Sequence, residues 1–100
     1  MNQRAQELGC KNTHFANTTG LTQSGHYSSA WDLYLITREA MTHDDFMTIV
    51  NTKSYEIPPT NKTEDERVLH STNALISNWR LAGYLYSGAQ GIKTGSTDAA

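Results

Sequence analysis

Apolar residues in this chain recur with two different spacings, and the change of spacing separates helical from extended stretches. Between 30 and 41, Ala30, Leu33, Tyr34, Ile36, Ala40 and Met41 share one face of a helical wheel, while Trp31 and Leu35 form a second apolar strip beyond Arg38. The pattern predicts a helix over 30–41 with a narrow polar face around Asp32 and Glu39, suited to an interior packed on two sides. Ser29-Ala30-Trp31-Asp32 predicts its start as a capping box, with the Ser29 hydroxyl accepting from the Asp32 amide and the Asp32 carboxylate from the Ser29 amide.

Residues 1–8 read as a helix end, with Arg4, Gln6 and Glu7 polar around Ala5 and Leu8. Gly9 stands where a left-handed cap is wanted. A loop-rich stretch follows, with a short extended piece around Thr13 and Phe15, turn chemistry at Asn17-Thr18-Thr19-Gly20 and at Gly25, and Phe15 and Leu21 as its apolar anchors. His43-Asp44-Asp45 opens a shorter helix through Phe46, Met47, Ile49 and Val50, its carboxylates near the positive helix end. Alternation at Tyr55 and Ile57, the stop at Pro58-Pro59 and the return at Val68-Leu69 predict a hairpin over 53–70. Thr72 or Asn73 is then expected to cap a helix through Leu75, Ile76 and Trp79, and Gln90 to Gly95 to form a final strand. The elements make the chain α/β (α+β), with helices beside an antiparallel sheet.

Composition narrows the chemistry. The 100 residues carry a formal net charge of −2 with acids and bases interspersed, so there is no basic patch for nucleic acid and no polybasic membrane surface. The longest apolar run is far below a membrane span. A single cysteine, Cys10, forbids an internal disulfide, and it reads as a small buried hydrophobe. His14, His26, His43 and His70 follow no compact zinc-ligand spacing, so no metal is expected. Asp44 and Asp45 are adjacent and would diverge on a helix, which makes them a solvated helix start, and the tryptophans and tyrosines read as packing groups.

The run Gly91-Ile92-Lys93-Thr94-Gly95-Ser96-Thr97 carries the chemical signal. Lys-Thr-Gly accompanies Ser-x-x-Lys and Ser-x-Asn in serine acyl-transfer enzymes of cell-wall chemistry. No serine here has a lysine three positions downstream, and Ser71-Thr72-Asn73 spells Ser-x-Asn too close to Lys93 to be that motif. Other blocks support the signal. Met1-Asn2, Ala5, Leu8-Gly9, Thr13, Phe15, Asn17 and Gly20-Leu21, then His26-Tyr27-Ser28-Ser29-Ala30-Trp31-Asp32-Leu33, then Thr72-Asn73-Ala74-Leu75-Ile76, come in order before the Lys-Thr-Gly run. Together they resemble the serine-type D-alanyl-D-alanine carboxypeptidases, the low-molecular-weight penicillin-binding proteins, over essentially the whole chain. Cys10 where methionine is usual, Thr19 where histidine or serine is common and Ser71 where asparagine is frequent depart from the pattern without touching Lys93, Thr94 or Gly95.

The resemblance implies the penicillin-binding transpeptidase fold, shared with β-lactamases, with residues 1–100 a middle-to-late segment of its catalytic domain. It implies an enzyme that trims the terminal D-alanine from peptidoglycan stem peptides through an acyl-enzyme, without cofactor, inhibited by β-lactams and placed outside the cytoplasm, exported and membrane-attached. No catalytic residue lies in this segment, and the segment alone is expected to be inactive. Lys93 would supply a compact cation, Thr94 a hydroxyl and backbone for an extended peptide, Gly95 room for that peptide, and Ser96 and Thr97 further hydroxyls for its carboxylate. A class A β-lactamase-like acylase and a non-catalytic peptidoglycan-peptide binder of the same fold remain as alternatives.

Overall fold

The computed structural model describes residues 1–98, so the last two residues of the 1–100 assignment lie outside the described residues. The chain divides into two units, Met1–Asp44 with the segment from Gly95 onward, and Asp45–Thr94.

In the first unit, α1 (Asn2–Glu7) ends as expected on Gly9, whose φ of 85° is open to glycine without a Cβ clash. The Gly9 amide donates to the Gln6 carbonyl at 2.9 Å and the Cys10 amide to the Ala5 carbonyl at 3.0 Å, the paired bonds of a Schellman end. Ala5 and Cys10 are buried beneath this turn, as the reading of Cys10 as a small hydrophobe requires. The helix predicted over 30–41 is α2 (Ala30–Ala40), and Ser29 caps it by accepting from the Asp32 amide at 3.2 Å.

The other half of the capping box does not form, because the Asp32 carboxylate turns to another partner. Its Oδ2 accepts from the Asn12 amide at 2.6 Å and from the Thr13 hydroxyl at 2.7 Å, while the Cys10 thiol donates to the Asp32 carbonyl at 3.6 Å. Asp32 was expected on a polar face and is instead 1% exposed, the most buried side chain among the described residues. Burial works to push its carboxyl up, but the Thr13 hydroxyl, the Asn12 and Lys11 amides and Ser29 together hold it below the usual carboxylate range. The loop after α1 is thereby tied to the first turn of α2.

The loop itself is closed by an isolated bridge, in which His14 and Tyr27 exchange backbone hydrogen bonds at 2.9 and 3.0 Å. Asn2 completes it from α1, donating through Nδ2 to the Phe15 carbonyl at 3.0 Å and accepting from the Phe15 amide at 2.7 Å. His26 contributes structurally, accepting from the Ala16 amide at 3.1 Å. Leu21, expected as an anchor, is exposed, since Asn17 ties the turn by accepting from the Gly20 amide at 2.9 Å and donating to the Leu21 carbonyl at 3.0 Å. Polar side chains do here what an apolar anchor was expected to do.

The second unit holds α3 (Asp44–Asn51, from its second residue) and the predicted hairpin. Strands β1 (Ser54–Ile57) and β2 (Arg67–His70) pair antiparallel with Tyr55 opposite Leu69 and Glu56 opposite Val68. The Ser71 amide extends the ladder to the Lys53 carbonyl at 2.8 Å. The helix expected after Thr72 or Asn73 is a single turn. Asn73 accepts the Leu75 amide on its side chain at 3.0 Å, and Ser77 accepts that of Trp79 at 3.3 Å, so local side-chain bonds replace helix continuation. Trp79 stacks on His70 with centroids 5.1 Å apart.

Apolar burial is sparse. Ala5, Cys10 and Ile76 are the buried hydrophobic residues among those described, whereas Trp31 is 67% exposed and Ile49 71%. The two-sided packing expected for α2 is not present among the described residues: Trp31, Leu33, Tyr34 and Met41 are exposed, with Trp31 and Arg38 resting against the Tyr34 ring.

Because the folded Asp32 carboxyl is depressed from its ordinary value of 3.8, its contribution to stability is complete above that pH and lost as pH falls through the lower folded value. The thermal midpoint is therefore expected to be level from neutrality to about pH 5 and to fall below about pH 4. Asp32→Asn should lower the neutral-pH midpoint by on the order of 5 °C and flatten the acid limb, measured by circular dichroism across pH.

Candidate functional site

The sequence-predicted site residues are divided between the two units. Lys93 and Thr94 close the second unit, and Gly95, Ser96 and Thr97 belong to the first.

In the second unit the approach to Lys93 is fixed by Gly91 and Asn73. Gly91 has a φ of 76°, and a Cβ there would meet the Val50 side chain at 2.9 Å and its carbonyl at 3.0 Å, so only glycine lets this backbone lie against α3. Its carbonyl accepts from Nδ2 of Asn73 at 2.7 Å. Asn73 is itself buried, one of two buried polar residues among those described, and its amide serves the turn at Leu75 and the segment at Gly91 together. The Thr72 hydroxyl lies 2.5 Å from that of Thr94. These contacts hold 91–94 beside 72–73.

The strand expected from Gln90 to Gly95 is not formed, and Lys93 does not project from a sheet edge. The described sheet has two strands, β1 and β2, and 90–95 is tied by side chains instead of a ladder. A strand exists only where a neighbour offers complementary backbone groups, and here Asn73 and Thr72 offer side-chain groups. Exposed Lys93 turns its ammonium back onto the Thr94 carbonyl. Thr72, Asn73, Lys93 and Thr94 line a concavity of about 230 Å³. A larger groove of about 490 Å³, walled by Ile49, Val50, Tyr55, Leu69 and Ile92, also reaches Lys93.

In the first unit, exposed Gly95 and Ser96 precede half-buried Thr97, whose hydroxyl lies 3.2 Å from that of Thr22. Leu21, Thr22, Ser96, Thr97 and Asp98 surround a concavity of about 550 Å³. A row of hydroxyls with no side chain at Gly95 can receive a carboxylate, which accepts hydrogen bonds and donates none. The described residues bring no three His, Cys, Asp or Glu side chains together as metal ligands.

Two partners of this segment, Thr72 and Thr22, were not singled out from the sequence as site residues. Thr72-Asn73 stood in the chain as a recognisable block, but nothing in its spacing reveals that it faces 91–94. Thr22 carries no motif at all.

A family model described as D-alanyl-D-alanine carboxypeptidase matches residues 1–100. The chain is 40% identical over 100 residues to the D-alanyl-D-alanine carboxypeptidase DacF of Bacillus subtilis (strain 168), covering all of this chain and 23% of that protein. It is 38% identical over 99 residues to a D-alanyl-D-alanine carboxypeptidase of Streptomyces sp. (strain K15), covering 96% of this chain and 32% of that one. The crystal structure of the Streptomyces K15 DD-transpeptidase superposes with a TM-score of 0.76 at 36% identity, covering 97% of this chain and 36% of that one. The chain thus spans about a quarter to a third of the curated relatives it matches, and over that span it has the DD-transpeptidase fold.

Gly91→Ala is expected to cost more than about 1 kcal/mol, since it combines a positive φ with a clash against Val50. Asn73→Ala should cost about 1–3 kcal/mol by leaving the Gly91 carbonyl and Leu75 amide unpaired. Urea midpoints at constant slope measure both.

Proposed function

The chain belongs to the D-alanyl-D-alanine carboxypeptidase family, and from that premise we propose that the protein carrying it is a serine-type carboxypeptidase acting on peptidoglycan stem peptides that end in D-alanyl-D-alanine. Residues 1–100 are a middle-to-late segment of its catalytic domain. They supply the substrate-binding residues Lys93, Thr94, Gly95, Ser96 and Thr97, and the nucleophile with its lysine base comes from sequence outside this segment. The observation that carries the reading is that Lys93 and Thr94, the first two residues of the Lys-Thr-Gly run, line a concavity beside the Thr72 hydroxyl.

In the reaction, the serine hydroxyl attacks the carbonyl of the penultimate D-alanine, the terminal D-alanine leaves as the amine, and water releases the acyl group. Lys93 swings from the Thr94 carbonyl to place its ammonium near the developing negative charge or the free carboxylate. Thr94 donates its hydroxyl to that carboxylate, Gly95 leaves the backbone open to the peptide, and Ser96 and Thr97 add donors. β-Lactams acylate the same serine. The substrate lies outside the cytoplasm, and the protein works there, exported and held at the membrane. Among the described residues no helix is long and apolar enough to cross a membrane.

Lys93→Ala in the intact protein should lower penicillin acylation and peptide hydrolysis on the order of 10²-fold or more, as for loss of a preorganised electrostatic group. Its effect on unfolding should stay within about 0.5 kcal/mol, because the side chain is exposed. Lys93→Arg should recover part of the rate, since a planar fork does not reproduce a compact ammonium. Near-normal acylation in Lys93→Ala would remove the site assignment. Residues 1–100 alone should form no covalent adduct with a fluorescent penicillin on a denaturing gel, and a labelled band would show an activated serine within the segment.

A further inference from the structure

Thr72 carries no role in the reaction as described, yet its hydroxyl oxygen is 2.5 Å from that of Thr94 across 22 residues of chain. We propose that Thr72 is a positioning residue that aims the Thr94 hydroxyl at the carboxylate of the bound peptide. The inference rests on the reading of Lys93, Thr94 and Gly95 as substrate-binding residues.

A threonine hydroxyl has one proton to donate and two lone pairs with which to accept. When two such hydroxyls meet, either can be the donor, and the pair is balanced between two directions. A carboxylate removes the balance, because it only accepts. Thr94 must spend its proton on the ligand, which leaves its lone pairs open to the proton of Thr72. The bond from Thr72 then polarises the Thr94 hydroxyl and strengthens its donation to the anion. Without Thr72, the Thr94 hydroxyl loses this partner and is free to rotate away from the ligand.

The geometry suits the task. Both residues are β-branched, so their first side-chain torsions are restricted. Thr72 is exposed and thus contributes little to packing, but its neighbour Asn73 is buried and bonded at both ends of its amide, to Leu75 and to Gly91. The backbone that carries Thr72 is therefore tied to the backbone that leads to Thr94. Both threonines and Lys93 line the same concavity of about 230 Å³.

The test compares Thr72→Ser with Thr72→Ala in the intact protein, because the two side chains both lack the methyl group and differ only in the hydroxyl. The readout is the second-order rate of acylation by a fluorescent penicillin, whose carboxylate is the probe for Thr94. Thr72→Ser should remain within about twofold of the unaltered protein, and Thr72→Ala should fall about fivefold, the size of one neutral hydrogen bond. In a Thr94→Val background, Thr72→Ala should produce no further loss, since its only route to the ligand is gone. Equal rates for the serine and alanine variants would overturn the proposal, as would a loss in Thr72→Ala that persists in the Thr94→Val background, which marks a structural role. An unaltered rate in Thr94→Val would also overturn it. The underlying site reading fails separately, through an unaltered rate in Lys93→Ala, a variant that leaves both threonines in place.

Discussion

Loop backbone must find hydrogen-bond partners, and in this chain two buried polar side chains meet that constraint where no sheet reaches. Asp32 does so in the first unit, accepting from the Asn12 amide and the Thr13 hydroxyl at the start of α2. Asn73 does so in the second, serving the Leu75 amide and the Gly91 carbonyl. With Ala5, Cys10 and Ile76 the buried hydrophobic residues among those described, apolar burial alone leaves the loops undetermined. A buried polar group is costly unless it is satisfied, so each of these side chains accepts few arrangements of its neighbours. That selectivity fixes which loop meets which element.

The two differ in kind. Asp32 is charged, and its carboxyl is held below the usual range because the donors around it outweigh the burial that opposes ionisation. The first unit consequently carries an acid-sensitive joint. Asn73 is neutral and uses both ends of its amide, so the joint it makes is insensitive to pH. The consequence for the proposed site falls on the second joint, because the Lys-Thr-Gly run begins two residues after the carbonyl that Asn73 holds. The segment proposed to bind substrate thus acquires a fixed origin without strand pairing.

The uncovered apolar surface follows from the same arithmetic of burial. α2 presents Trp31, Leu33, Tyr34 and Met41, and the second unit presents Ile49, Tyr55 and Leu69 beside the groove that reaches Lys93. The relatives that share this fold are three to four times longer than the matched span. Helix α2 nevertheless keeps its predicted start and ends one residue before its predicted end, because its capping serine and its turn-to-turn hydrogen bonds are local.

The sequence by itself determined what depends on local backbone chemistry. Gly9 ended α1, Ser29 started α2, Pro58-Pro59 stopped β1 and the alternation around Tyr55 and Leu69 made the hairpin, each through neighbours within a few residues. The order of sequence blocks also identified the family, since four blocks in register specify far more than any one motif. Tertiary structure decided where polar side chains went. Asp32 reads as the polar face of an amphipathic helix, and only the loop folding back from Asn12 and Thr13 makes it a buried acceptor. Thr72 and Asn73 read as a helix cap, but the segment from Gly91 to Thr94 arrives beside them and claims their side chains. The expected helix through Trp79 gave way to local bonds from Asn73 and Ser77, whereas the expected strand at 90–95 was lost to partners distant in sequence. A hydrogen-bonding side chain has several partners of similar energy, and which one it takes is set by residues distant in sequence that folding brings within 3 Å.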